Sequence, residues 1–272
     1  MKKEDEMTAG FARLIRRESI KMVYRANASH IGGALSSADI LAVLYSEILN
    51  VEPKNPNWSE RDRFIMSKGH CCTALYAALS ARGFFPAEEL QSYGTDGTRL
   101  MSHVSHHVPG VEWSTGSLGH GLPLACGQAL AAKRTGKSWR VVCLLSDGEL
   151  NEGSTWESVI FAAHHGLDNI LAIVDRNGQQ GMGRTRDILR MENLKERFVS
   201  FDWDAEMVNG HDLSELRRSF SVRKEGRPRV VIAQTVKGKG VSFMENKLEW
   251  HYRPPRTEEE LNAALQEIEK GI

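Results

Sequence analysis

The sequence is short of most features that announce a specialised class. It has only four cysteines, Cys71, Cys72, Cys126 and Cys143, and no C-x-x-C pair among them. They read as small buried hydrophobes in a reducing compartment. No stretch approaches the roughly 18 consecutive apolar residues of a membrane span. Met1 to Met7 is charged, with no apolar core after it, so no secretory signal is expected. Charge of one sign is also missing: Lys plus Arg and Asp plus Glu each number 35. A nucleic-acid binder needs a basic surplus to displace counterions from phosphates, so that class is set aside. The expectation is a cytoplasmic protein that engages neither nucleic acid nor membrane.

What is present suits a globular α/β protein. The 272 residues are 41% hydrophobic and 26% charged, enough to bury a substantial core. No repeat, low-complexity tract or interdomain linker interrupts them, so residues 1–272 read as one domain. Phe11, Leu14, Ile15, Met22 and Val23 form a helical stripe, and Ser37 is placed to cap a helix over Ala38 to Leu49. After a Pro- and Asn-rich connector, Pro53 to Ser59, a third helix begins near Gly69. Residues 92 to 121 are rich in Gly, Ser, Thr and His, and long ordered loops of that kind are usually functional.

Beyond residue 140 short apolar runs alternate with helical patterns. Strands are predicted at 140–145, 170–174, 206–208 and 230–233, with helices at 152–165, 213–220 and 257–270. Such alternation implies a parallel sheet flanked by helices on both faces. Ligands of open α/β sheets bind beyond the carboxyl ends of the strands. Two consecutive strands place oxygen ligands there: Asp147 ends one and Asn177 ends the next, 30 residues later. Gly148 lets the backbone approach an anion, and the helix that follows offers its positive N-terminus. A carboxylate, an amide oxygen and a backbone carbonyl are hard ligands suited to magnesium, which fills its remaining positions with phosphate and water. The residues read as a magnesium-bridged diphosphate site, although a D-G with a distant Asn is a weak signal alone.

Further segments strengthen it. Ser146-Asp147-Gly148-Glu149, then Glu152-Gly153 and Asp175-Arg176-Asn177, resemble the thiamine diphosphate motif G-D-G…N. Ala28-Ser29-His30-Ile31-Gly32-Gly33, Ser67-Lys68-Gly69-His70, Gly110 to Gly119 (GVEWSTGSLG) and Thr235-Val236-Lys237-Gly238-Lys239-Gly240 resemble four segments of transketolase, in order. The chain is thus similar to the N-terminal, thiamine diphosphate-binding half of a transketolase over about residues 10 to 255. The resemblance implies a pyrophosphate-binding domain of the thiamine diphosphate fold. It implies that Asp147, Asn177 and the carbonyl of Gln179 bind magnesium. His70, Gly148 and His251 would contact the diphosphate, and the backbone of Gly116 and Leu118 the aminopyrimidine; Ser117, Glu149 and Glu152 join the cofactor set, with Glu152 near a subunit interface. His30 and His103 would meet ketose hydroxyls, and His251 both cofactor and substrate. Neutral imidazoles, which donate at one nitrogen and accept at the other, suit that task.

Departures from the pattern are Ser146 for the first Gly of G-D-G, Ser29 for the Gly before His30, and His120 where relatives carry Gln. His103, His106 and His107 lack the distal pair of a zinc site. Gly136-Lys137-Ser138 lacks the first Gly of a P-loop, and Gly178 to Gly183 reads as a flexible turn. By the same resemblance the reaction passes a two-carbon ketol unit from a ketose, or ketose phosphate, to an aldose. Activation of the cofactor needs a glutamate from a pyrimidine-binding half that these residues do not contain. A partner subunit is therefore expected, in an α2β2 heterotetramer. The alternatives are a 1-deoxyxylulose-phosphate-synthase-like half, a 2-oxoacid dehydrogenase alpha chain, and a noncatalytic scaffolding paralogue.

Overall fold

The computed structural model describes residues 3–271, with side chains from Asp5, so Met1 and Lys2 of the charged start and Ile272 lie outside the described residues. Its centre is one five-stranded, wholly parallel sheet in the order β1-β2-β3-β5-β4. The strands are β1 (Arg63–Met66), β2 (Val141–Ser146), β3 (Ile170–Arg176), β4 (Asp204–Asn209) and β5 (Arg229–Gln234). Helices α1 (Lys3–Ala26), α2 (Ile31–Ser36), α3 (Ala38–Val43) and α4 (Cys72–Ala81) precede the long loop; α5 (Gly121–Arg134) and α6 (Gly153–His164) alternate with β2 and β3. Then come α7 (Thr185–Ile188), α8 (Leu194–Ser200), α9 (Leu213–Ser221) and α10 (Glu258–Lys270).

Side chains alternate across a strand, so a strand buried on both faces must be apolar throughout. β2 shows this directly. Val142 and Leu144 join the core beneath α1–α4, α9 and α10, whereas Val141, Cys143 and Leu145 join the core beneath α5, α6 and α8. Ile173 and Ala172 divide in the same way on β3, and Val231 and Ile232 on β5. All four cysteines are unpaired and buried. No helix among the described residues is long and apolar enough to cross a membrane.

Several sequence expectations need revision. Strand β1 was not foreseen, nor were α5, α7 and α8. Ser37 does not cap a helix over 38–49: its backbone is already helical, and its hydroxyl bonds Gly33 O at 2.7 Å instead. The helix there is α-helical only to Val43 and continues as a π-helical turn over Leu44–Ile48. At the other end Thr257 does cap α10, accepting the N–H of Glu260.

The carboxyl edge of the sheet is tied by a fully buried ion pair between Lys68, just past β1, and Asp175, near the end of β3. Asp175 also accepts the hydroxyls of Ser36 at 2.7 Å and Ser37 at 3.3 Å, the amide of Asn177 at 3.4 Å, and the hydroxyl of Thr235. Lys68 in turn donates to Gly33 O at 3.2 Å and Ser37 Oγ at 3.0 Å. Burial alone would raise the Asp175 carboxyl; the Lys68 charge and these donors outweigh it and hold it below its ordinary value. Removing one member of such a pair leaves an uncompensated buried charge. Lys68→Met is therefore expected to cost about 3–5 kcal/mol in urea unfolding. Lys68→Met combined with Asp175→Leu is expected to cost less than Lys68→Met alone. A double variant no more stable than the single one would show that the hydroxyl ring, not the ion pair, secures this edge.

Candidate functional site

Ser146 pairs with Asp175 across the β2–β3 register, so Asp147 and Asn177 leave the sheet at the same edge. There they line a cleft of about 420 Å³ together with Lys68, Gly116, Leu118 and the four histidines His30, His70, His103 and His251. Gly148, Glu152 and Gln179 also line it. The predicted site residues are thus gathered from the ends of three strands, the long loop, the turn before α2 and the turn ending at His251, with two exceptions.

Glu149 does not face the cleft. It is fully buried and braces three segments, accepting the N–H of Gly119 at 2.8 Å, that of Ser146 at 3.4 Å, and the Ser67 hydroxyl. A buried carboxylate must find donors, and here the 117–121 loop, the end of β2 and the turn after β1 supply one each. Ser117 is exposed and outside the cleft wall, although its neighbours Gly116 and Leu118 form part of that wall.

Asp147 is buried, and its carboxylate organises the turn after β3. Oδ2 accepts the N–H of Gly178 at 2.7 Å and the Thr185 hydroxyl at 3.1 Å, while Oδ1 accepts that of Gly148 at 2.9 Å. Burial, then the charge of Asp175, push its carboxyl up to about 6, against the pull of Gly178, Thr185 and Lys68. Two neighbouring buried carboxylates with one lysine between them favour an added cation. Asn177 anchors its Nδ2 on Asp175 and accepts the N–H of Gln179 at 3.1 Å with Oδ1. That places an amide oxygen beside a carboxylate, a donor set of hard oxygens that fits magnesium. The segment 178–183 is a turn in which Gln180 N–H bonds Gly183 O at 2.9 Å, and Gln179 to Met182 wall the cleft.

The histidines form a single cluster centred on His30. Its ring lies 5.2 Å from His70, 5.7 Å from His103 and 5.1 Å from His251, centroid to centroid. His30 precedes α2 in a left-handed conformation, φ 72°, a region a non-glycine residue rarely adopts. Two contacts hold it: its N–H donates to His251 O at 2.7 Å, and Nδ1 pairs with Ser29 Oγ at 3.1 Å. Ser29, which departs from the family's glycine, therefore orients the imidazole. Burial lowers His30 to about 4, aided by His103 and Lys237, and lowers His251 to about 3, aided by Lys237, His30 and Lys68. His70 and His103 are lowered by burial too. All four imidazoles are neutral at pH 7.

Gly116 is required by this packing, since a Cβ there would sit 2.8 Å from His103 Cδ2. Gly33 is required likewise, its Cβ falling 2.6 Å from Cys71 Sγ. His106 and His107 lie off the cleft, stacked at 4.1 Å, with His106 Nδ1 on Ser114 Oγ at 2.8 Å. His120 pairs through Nδ1 with Leu118 O at 3.0 Å and is also off the cleft.

Three site residues escaped sequence reasoning. Lys68 and Lys237 are both buried, at 0% and 2% exposed, and Tyr252 stands beside His251. Lys237 Nζ pairs with His251 Nδ1 at 2.8 Å; burial lowers its ammonium to about 8, which keeps it mainly charged at pH 7. The signal for the two lysines was their place inside the motifs S-K-G-H and T-V-K-G-K-G.

The comparisons with known proteins agree with this geometry. Residues 7–268 match the family described as transketolase, thiamine diphosphate binding domain. The chain is similar to an apulose-4-phosphate transketolase subunit of Phocaeicola vulgatus, 40% identical over 259 residues, covering 94% of this chain and 92% of that one. It is similar to the 6-deoxy-6-sulfo-D-fructose transketolase subunit SqwG of a Clostridium species, 38% identical, with 95% of each chain covered. Among solved structures, transketolase from Campylobacter jejuni superposes with a TM-score of 0.92 at 33% identity, covering 97% of this chain. The chain spans 43% of that enzyme's length, but nearly all of the two subunits. It belongs to the transketolase family, as a thiamine diphosphate binding domain.

Proposed function

We propose that this chain, residues 1–272, is the single-domain N-terminal subunit of a split transketolase. It acts with magnesium and a C-terminal, pyrimidine-binding partner in an α2β2 assembly in the cytoplasm. The reaction moves a two-carbon ketol unit from a ketose, or ketose phosphate, to an aldose. The observation that carries this reading is the one cleft in which the buried Asp147 carboxylate and the Asn177 amide meet four neutral histidines. The relatives that this chain spans almost end to end are named as subunits, which supports a partner.

Asp147, Asn177 and the carbonyl of Gln179 would hold the magnesium, with His70, His251 and the main chain at Gly148 on the diphosphate. The main chain at Gly116 and Leu118 would receive the aminopyrimidine. Thiamine diphosphate, when bound, supplies the nucleophile and electron sink. The residues of this chain bind and orient. Lys237, donating to His251 Nδ1, leaves the imidazole proton on Nε2, the nitrogen nearest Gly181. His30 and His103 offer donors and acceptors to substrate hydroxyls without charge. Glu152, exposed at the cleft wall, stands where a second chain would reach.

Affinity capture of the tagged chain with thiamine diphosphate and magnesium is expected to bring down one stoichiometric partner of transketolase C-terminal type. Recovery of the chain alone and without cofactor would point to a scaffold instead. Asp147→Asn is expected to weaken magnesium-dependent binding of thiamine diphosphate by about 100-fold or more, because a hard anionic ligand matters more than its supporting shell. Calorimetry measures it, and unchanged affinity would remove Asp147 from the metal site. Imidazole NMR is expected to show His30 and His251 untitrated from about pH 8 to 5, whereas free histidine titrates near 6.5. Within that window the unfolded chain takes up protons that the folded chain refuses, so acid weakens the fold. A midpoint near 6.5 for either ring would contradict the neutral cluster.

A further inference from the structure

The lysine that meets His251 stands on a segment that has left the sheet. β5 ends at Gln234, and the Thr235 N–H still reaches Arg176 O at 3.2 Å. The next main-chain donor, the N–H of Val236, goes instead to a side chain: His211 Nε2 accepts it at 2.8 Å. His211 belongs to the turn between β4 and α9. On the far side of Lys237, the Gly238 N–H donates to Gly32 O at 2.9 Å. Lys237 is thus held before and behind. Its side chain runs past Gly32, where a Cβ would lie 3.1 Å from Lys237 Cγ, and ends on His251 Nδ1.

An imidazole nitrogen accepts only when it carries no proton. Because Val236 donates to Nε2, the His211 proton is on Nδ1, which donates it to Asp39 Oδ2 at 2.6 Å. Asp39, on α3, is buried; burial would raise its carboxyl, but Arg16 and then His211 bring it down to about 2. Arg16, on α1, holds both its oxygens, Nη1 on Oδ1 at 3.1 Å and Nη2 on Oδ2 at 2.5 Å. The three groups have an order. The guanidinium keeps the carboxylate charged, the carboxylate fixes the tautomer, and the bare nitrogen takes the main chain beside Lys237. None of the three lines the histidine cleft.

We propose that His211, oriented by Asp39 and Arg16, is a positioning residue for Lys237 and, through Lys237, for His251. By holding the Val236 N–H it sets where the Lys237 ammonium meets His251 Nδ1. That contact keeps the His251 proton on Nε2, on the Gly181 side of the cleft. The part His211 plays in turnover rests on the transferase reading; its hold on the 235–238 segment does not.

Nitrogen-15 NMR of the full chain is the first test. The wild type is expected to show a scalar coupling between Val236 N and His211 Nε2, and a His251 ring with one protonated and one bare nitrogen. Absence of that coupling overturns the proposal without any variant. His211→Leu removes the acceptor, and His251 should then show mixed tautomers. His211→Gln, whose side-chain carbonyl can take the Val236 N–H, should restore the wild-type ring. In the enzyme assembled with its partner, His211→Leu is expected to weaken thiamine diphosphate binding by about 10-fold and His211→Gln by no more than about 2-fold. Asp212→Ala removes the cap of α9 beside His211 and should change neither readout. An unchanged His251 ring or an unchanged affinity in His211→Leu overturns the positioning role. So does an equal effect of Asp212→Ala, since the turn would then serve stability alone. A wild-type assembly that neither binds thiamine diphosphate nor turns over a ketose, with the His251 response to His211→Leu intact, overturns the transferase reading and leaves the tether.

Discussion

The cleft depends on the buried contact between Lys68 and Asp175. Asp175, the penultimate residue of β3, stands two residues before Asn177, and Lys68, just past β1, stands two residues before His70. Their ion pair fixes the separation of the two loops that carry those residues. The hydroxyls of Ser36 and Ser37 bring the start of α3 onto the same carboxylate, and with it α2 and His30 at its N-terminal end. Thr235 attaches the segment after β5, which carries Lys237. Four parts of the site are thus referred to one charged group. Such a pair contributes little net stability against an apolar replacement, because desolvation offsets the attraction. Its value lies in geometry, since a carboxylate with five donors can satisfy them in only one arrangement of their segments.

That arrangement also sets the electrostatics. The Lys68 charge is neutralised by Asp175, which leaves Asp147 as the uncompensated carboxylate at the cleft wall, raised to about 6 by burial and by its neighbour. A divalent cation relieves both effects at once, and a diphosphate then adds negative charge near Lys237 and the neutral imidazoles. Opposed charges are separated along the cleft: the acidic wall is at the ends of β2 and β3, and the basic one is at 237. The other three histidine rings lie within about 6 Å of His30, and the four cannot all be charged. Burial first, reinforced at His30, His70 and His251 by neighbouring charges, is therefore what keeps them available as neutral hydrogen-bonding groups.

Much of this was legible in the sequence where the physics is local. Val141 to Leu145 and Ile170 to Val174 announced themselves because a parallel strand covered on both faces has to be continuously apolar. The D-G and N at their ends followed from the same rule about sheet edges. β1 did not, because Arg63-Phe64-Ile65-Met66 is only four residues long and begins with a charge. α5 opens Gly-Leu-Pro-Leu and contains Gly127, which hides it behind residues that normally punctuate helices. Lys68 and Lys237 were overlooked because lysine is by default a solvated charge; only the fold reveals that both are buried. Glu149 misled in the opposite direction. It sits in the motif beside Asp147, but the 3-10 turn at 148–151 points it inward, where it braces the 117–121 loop.

A cleft with one wall of histidines and another of oxygen ligands is well suited to hold a cofactor and the reacting carbons. Lys68, Asp175 and Asp147 are committed to protein partners, whereas the imidazoles line the open cleft. At the rim of the cleft Tyr252 has its ring packed on His251 and His30 but open to solvent. Its hydroxyl makes no hydrogen bond to the Lys68–Asp175 pair or to the Asp147 turn among the described residues. The ion-paired sheet edge and the open rim are therefore physically separable parts of the cleft.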